Sequence, residues 1–179
     1  MGADSNEDAE VLAALVVEVM RKSGLCWVRL PGGERDHAVW HVWHDGAAYV
    51  VSGGTEQPLP GIDAAESATV IARTKDSRQR VLAWTASVST LRPDDPDWDE
   101  VVRTLIAARL NLRSTDDAAH RWAEDCIVTR LRPTGVLEEH PGAMPVDEGA
   151  AAPLPTSATT RRGLPRVLHR RQTHRPKLR

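Results

Sequence analysis

Asp45-Gly46 lies between two runs of β-prone residues, HAVWHVWH (37–44) and AAYVVS (47–52), and no other feature constrains the fold as strongly. A two-residue hairpin connection of type I′ needs φ > 0 at both central positions, which Asp and Gly adopt at little steric cost. The chain is therefore predicted to double back here as an antiparallel hairpin. Side chains alternate along a strand, so Trp40 and Trp43 fall on opposite faces. One is expected in a core, the other facing a groove or a partner.

The first of these runs also holds His37, His41 and His44, which raises the question of a metal. Alternation puts His37 and His41 on one face and His44 on the other. At about 3.3 Å per residue, His37 and His41 stand about 13 Å apart, too far for one tetrahedral ion. No metal site is expected.

Around the hairpin the chain is ordered as helix, five strands, two helices and a last strand. SNEDAEVLAALVVEVMRKSG (5–24) has Ser5 or Asn6 as cap, and its apolar face joins Val11, Leu15 and Val19 to Leu12, Val16 and Met20. Arg21 and Lys22 suit its last turn, and Gly24 ends it. LCWVRL (25–30), ATVIART (68–74) and RVLAWTASVSTL (80–91) read as strands. DDPDWDEVVRTLIAARLNL (94–112) and STDDAAHRWAED (114–125) read as helices, and CIVTRL (126–131) as the closing strand. Short antiparallel connections without βαβ alternation predict a mainly β (α+β) protein, an antiparallel barrel or sandwich with appended helices. A folded domain is expected over residues 1–132. From Pro133 the periodicity stops, and 133–179, rich in Pro and Arg, reads as a disordered tail.

Charge follows the same division, at net −6 over 1–132 and +4 over 133–179. The basic tail lacks the aromatic residues of a nucleic-acid stacking platform, so no nucleic-acid partner is expected. The longest apolar run, VLAALVV (11–17), is too short to span a membrane, and the acidic N-terminus is no signal peptide. Cys26 and Cys126 lie in apolar strand-like surroundings and read as core thiols. A cytoplasmic protein is the expectation. No Gly-rich phosphate loop, nucleophile elbow or HExxH is present, so catalytic residues are undefined.

The N-terminal helix, the strand ending near RLPGG, the hairpin AVWHVWHDGAAYVVSG and the later VIART and RVLAWTASV resemble the FMN-binding split barrels, the pyridoxamine 5'-phosphate oxidase-like family in its actinobacterial form. The resemblance covers roughly residues 8 to 132. It implies a homodimer of six-stranded antiparallel split β-barrels, each with an N-terminal helix and two helices before the last strand. Such proteins bind FMN, or in some branches a deazaflavin coenzyme or haem, at the subunit interface.

By that resemblance Trp40, His41, Val42 and Trp43 run beside the cofactor ring, and Ser52 and Gly53 lie near its ribityl and phosphate groups. The family then holds the phosphate with a hydroxyl and basic residues in the following loop. Here SGGTEQPLPG (52–61) offers Thr55 as the hydroxyl, but Gln57 and Pro58 stand where cations are expected. A phosphate favours charge-assisted donors, so Arg73 and Lys75 on the next strand are the candidate substitutes. For haem, His41 or His120 is the candidate axial ligand. The implied activity is that of a flavin-dependent oxidoreductase acting on a small molecule. The alternative is a cofactor-free dimeric binding or regulatory module on the same fold.

Overall fold

The computed structural model describes residues 3–74, 79–110, 112 and 114–145. Helix α1 (Ala3–Lys22) leads into β1 (Leu25–Arg29), β2 (Asp36–Trp40), β3 (Val42–His44) and β4 (Ala47–Ser52). A short 3-10 turn (Ile62–Ala64) precedes β5 (Ser67–Arg73) and β6 (Arg80–Leu91). Helices α2 (Trp98–Ala108) and α3 (Ala118–Asp125) follow, and β7 (Ile127–Glu139) ends the described fold.

All strands belong to one antiparallel sheet in the order β2-β1-β5-β6-β7-β4-β3. Its two edges, β2 and β3, are separated in sequence by His41 alone. A sheet whose first and last strands are joined by one residue must curl round on itself. The result is the expected mainly β split barrel, with seven strands instead of six.

The extra strand comes from the run 37–44, expected as one strand and divided here at His41. The cause is tertiary. His41 is 6% exposed, and its Nε2–H donates to the Met20 carbonyl at the end of α1, 3.0 Å away. Asp36–Trp40 pairs with β1 and Val42–His44 with β4, so the run is divided where its pairing partner changes. The hairpin itself is as predicted: His44 faces Ala47, and Asp45 and Gly46 take φ of 43° and 69°.

The closing strand, expected to stop at Leu131, continues through Pro133 to Glu139. Pro133 lies opposite Ala86, beside a register shift in the β6–β7 ladder, which is where a strand can accept a residue with no N–H to donate. Beyond it the Arg80 guanidinium pairs with the Glu139 carboxylate, and the Thr69 and Thr85 hydroxyls donate to Glu138. The folded part therefore passes the boundary expected at residue 132, and the remainder of that tail, 146–179, lies outside the described residues.

Two apolar cores result. Inside the curl, Val28, Val39, Val50, Val70, Leu82, Trp84 and Leu131 pack with Val16 and Met20 of α1. Outside it, Tyr49, Val51 and Val128 pack with Trp98, Val101, Val102 and Leu105 of α2 and Trp122 of α3. Strand β4 is buried along its whole length, because alternate residues serve the two cores. Trp43 joins the inner cluster and Trp40 the outer one, on the opposite sides that alternation assigned to them. No helix among the described residues is long and apolar enough to cross a membrane.

Candidate functional site

The division at His41 opens a cleft of about 520 Å³ lined by Trp40, His41, Val42 and Trp43, by the α1–β1 turn and by the end of α2 with Arg109 and Leu110. Residues 40–43 were singled out from the sequence as a continuous strand. They meet at one cleft because the strand is broken.

The edges of the sheet do not pair directly at this point. The Gln57 side chain joins them instead. Its Oε1 accepts from the Trp40 N–H at 2.7 Å, and its Nε2 donates to the Trp40 carbonyl at 2.9 Å and the Val51 carbonyl at 3.1 Å. The amide thus completes the ladder where β2 ends. Both of its N–H groups are committed to the backbone.

The loop that carries Gln57 turns tightly, with φ of 89° at Gly53 and 53° at Gly54 and a Glu56 N–H bond to the Gly53 carbonyl of 2.8 Å. A Cβ at Gly54 would come within 3.1 Å of the Asp125 carbonyl and of Cys126 Sγ, so the loop lies hard against the start of β7. Ser52 is buried, and its hydroxyl has no hydrogen-bond partner among the described residues. Thr55 is exposed.

Glu56 turns inward, its side chain 5% exposed. Arg109 Nε donates to Glu56 Oε2 at 3.1 Å, with Nη2 also 3.1 Å from that oxygen, and Nη1 donates to the Leu110 carbonyl at 3.0 Å. The Trp122 indole N–H donates to Glu56 Oε1 at 3.3 Å. The guanidinium lies 4.9 Å from the Trp40 ring centroid, and Trp122 lies 6.3 Å from the same ring. Arg109 and Trp122 were not predicted as site residues. They stand 53 and 66 residues from Glu56, and no local pattern marks either one.

The two substitute cations do not join this group. Arg73 stacks on Trp27 at 4.5 Å and lines a different cleft, of about 730 Å³, with Lys22, Ser23 and Thr74. Lys75 lies outside the described residues. Of the haem candidates, His120 pairs with Glu124 on the surface of α3 at 3.1 Å, and His41 commits Nε2 to Met20.

With Nε2–H donating, neutral His41 leaves Nδ1 as a bare acceptor, buried and without a partner among the described residues. A second proton would place a charge in apolar surroundings, and burial lowers the imidazole pKa below its ordinary value despite the Met20 bond. A histidine whose folded pKa lies below its unfolded one contributes stability above the unfolded value, about 6.5, and loses it as pH falls through the folded value. His41→Gln, which keeps a donor for Met20, should therefore flatten the fall in Tm below about pH 6.5. Thermal melts of both proteins across pH 5 to 8 check this, and parallel curves would refute it.

No protein-family model matches the chain, and no curated protein does. Among solved structures it is similar to HutZ, a haem storage protein of Vibrio cholerae (14% identity, TM-score 0.46, covering 69% of this chain and 91% of that one). It is similar to an F420 reductase (17%, TM-score 0.46, 68% and 94%). It is also similar to a Listeria innocua protein assigned as a pyridoxamine 5'-phosphate oxidase (15%, TM-score 0.47, 71% and 96%).

The residues fit one half of a flavin nucleotide. The cleft at the strand break has the size and the aromatic walls for a planar ring, since ligand pockets commonly span about 300–1,000 Å³. The phosphate end does not fit, because the loop offers a committed amide at Gln57 and an inward carboxylate at Glu56.

Proposed function

We propose that the protein binds a planar ring of flavin type in the cleft at the β2–β3 break and acts as an oxidoreductase on a small molecule. The observation that carries this reading is the cleft itself, where Trp40, His41, Val42 and Trp43 converge at one opening. FMN and a deazaflavin coenzyme are the ring carriers the resemblance implies. In such proteins the ring supplies the redox chemistry, while the chain supplies position and the exclusion of water. A homodimer belongs to the same reading: Leu25 and Leu110, 52% and 77% exposed, stand on the rim of the cleft, where a second copy would cover them.

A second reading keeps the fold without the ring, as a dimeric binding or regulatory module. It is favoured by one observation, the commitment of Gln57 and Glu56 to contacts within the chain.

The absorption spectrum of the purified protein and titration with flavins separate the two. A bound or titratable flavin that quenches tryptophan emission, with the quenching reduced in Trp40→Leu, is the expected result. A colourless protein that binds no flavin, phosphorylated or not, would overturn the first reading in favour of the second.

A further inference from the structure

Two cationic side chains line the cleft, Arg21 and Arg109. Arg21 is exposed on the last turn of α1. Arg109 is the one built into the site: its Nε donates to Glu56, its Nη2 lies 3.1 Å from the same carboxylate oxygen, its Nη1 donates to the Leu110 carbonyl, and its flat face lies on Trp40. Glu56 is held in turn by the Trp122 indole, so its carboxylate is seated from two sides. The cation at this end of the cleft is already paired with an anion, and that anion is covalently part of the loop.

An anionic group arriving beside Arg109 would meet a guanidinium whose charge is already paired, with a buried carboxylate of like charge behind it. The nearest amide cannot compensate, because both Gln57 N–H groups serve backbone carbonyls. Anion recognition at such a site depends on charge-assisted donors aimed at the ligand, and discrimination between ligands can rest on a repulsive group as much as on an attractive one.

We infer that Glu56 is a specificity-determining residue: by neutralising Arg109 from within, it makes the cleft select ring ligands that carry no phosphate at that end. The inference rests on the ring-binding reading above and narrows it to an uncharged ring compound with a neutral, hydroxylated side chain.

Riboflavin and FMN share one ring and differ in the phosphate, so their relative affinity is the test. Each is titrated into the full chain, followed by flavin fluorescence anisotropy and tryptophan quenching, for the wild type, Glu56→Gln and Arg109→Met. Glu56→Gln keeps the shape and an oxygen for Trp122 while releasing the Arg109 charge. Wild type should bind riboflavin about tenfold or more tightly than FMN, the size expected when a like charge opposes the ligand. Glu56→Gln should tighten FMN by about tenfold and leave riboflavin within about twofold, and Arg109→Met should show no such gain. The wild-type ratio needs no variant to fold. Wild type binding FMN as tightly as riboflavin would overturn the inference while leaving the ring reading intact. An unchanged ratio in folded Glu56→Gln would do the same. Binding of neither flavin to any of the three proteins would overturn the ring reading, and this inference with it.

Discussion

Trp84→Ala should destabilise the protein by about 3–5 kcal/mol, the range for removing a buried Trp from a core. Trp84 is 1% exposed at the centre of the inner core. It lies opposite Val70 on β5 and Leu137 on β7, with Trp43 edge-on at 6.3 Å. One side chain therefore ties three strands of the curl to the hairpin that carries the cleft. Its indole N–H is buried and has no hydrogen-bond partner among the described residues. Trp84→Phe removes that unsatisfied donor along with some volume, so its cost should be much smaller, below about 1.5 kcal/mol. Urea unfolding of the two variants checks the pair, provided that m is unchanged. A Trp84→Ala loss under about 1 kcal/mol would mean that the inner core tolerates a cavity of that size, contrary to the packing described.

Gln57→Ala should cost about 2–4 kcal/mol, as the sum of three part-buried hydrogen bonds at about 1 kcal/mol each and the backbone groups left without partners. The bonds hold the end of β2 to the end of β4. Gln57→Glu makes the finer test. It can still accept from the Trp40 N–H, but it sets a carboxylate against the Trp40 and Val51 carbonyls, so it should not restore stability at neutral pH. Hydrogen exchange at the Trp40 amide reports the clamp directly. Exchange that is as slow in Gln57→Ala as in the wild type would show that the side chain does not hold the edge closed.

Much of this fold was legible from local chemistry. The Asp45-Gly46 turn depends only on two residues that tolerate positive φ. The placement of Trp40 and Trp43 on opposite sides depends only on strand alternation. The apolar face of α1 and the order of the elements follow from periodicity in the same way. Two local signals misled. The β-prone run 37–44 contains nothing that marks a break, because the division falls where pairing passes from β1 to β4, strands that meet this run only in the folded sheet. Pro133 read as the end of order, yet a register irregularity on β6 absorbs the proline and ion pairing at Arg80–Glu139 holds the strand beyond it.

The candidate site divides along the same line. Trp40 to Trp43 were found in the sequence because they are contiguous, and Gln57 because it stands where the resemblance calls for a cation. What Gln57 does instead required knowing that Trp40 and Val51 come within reach of one amide. Glu56 lies in the loop where the resemblance places the phosphate, and nothing local shows which way its carboxylate turns. The structure supplies its partners, Arg109 from the end of α2 and Trp122 from α3.

The sequence by itself determined the hairpin, the order of the elements and the sides on which the two tryptophans lie, since each depends on dihedral preference or periodicity within a few residues. Only the tertiary structure decided where the strand breaks, how far the last strand runs and which charges face the cleft. Those outcomes depend on groups far apart in the chain meeting at hydrogen-bond distance, and that proximity exists only once the sheet has curled.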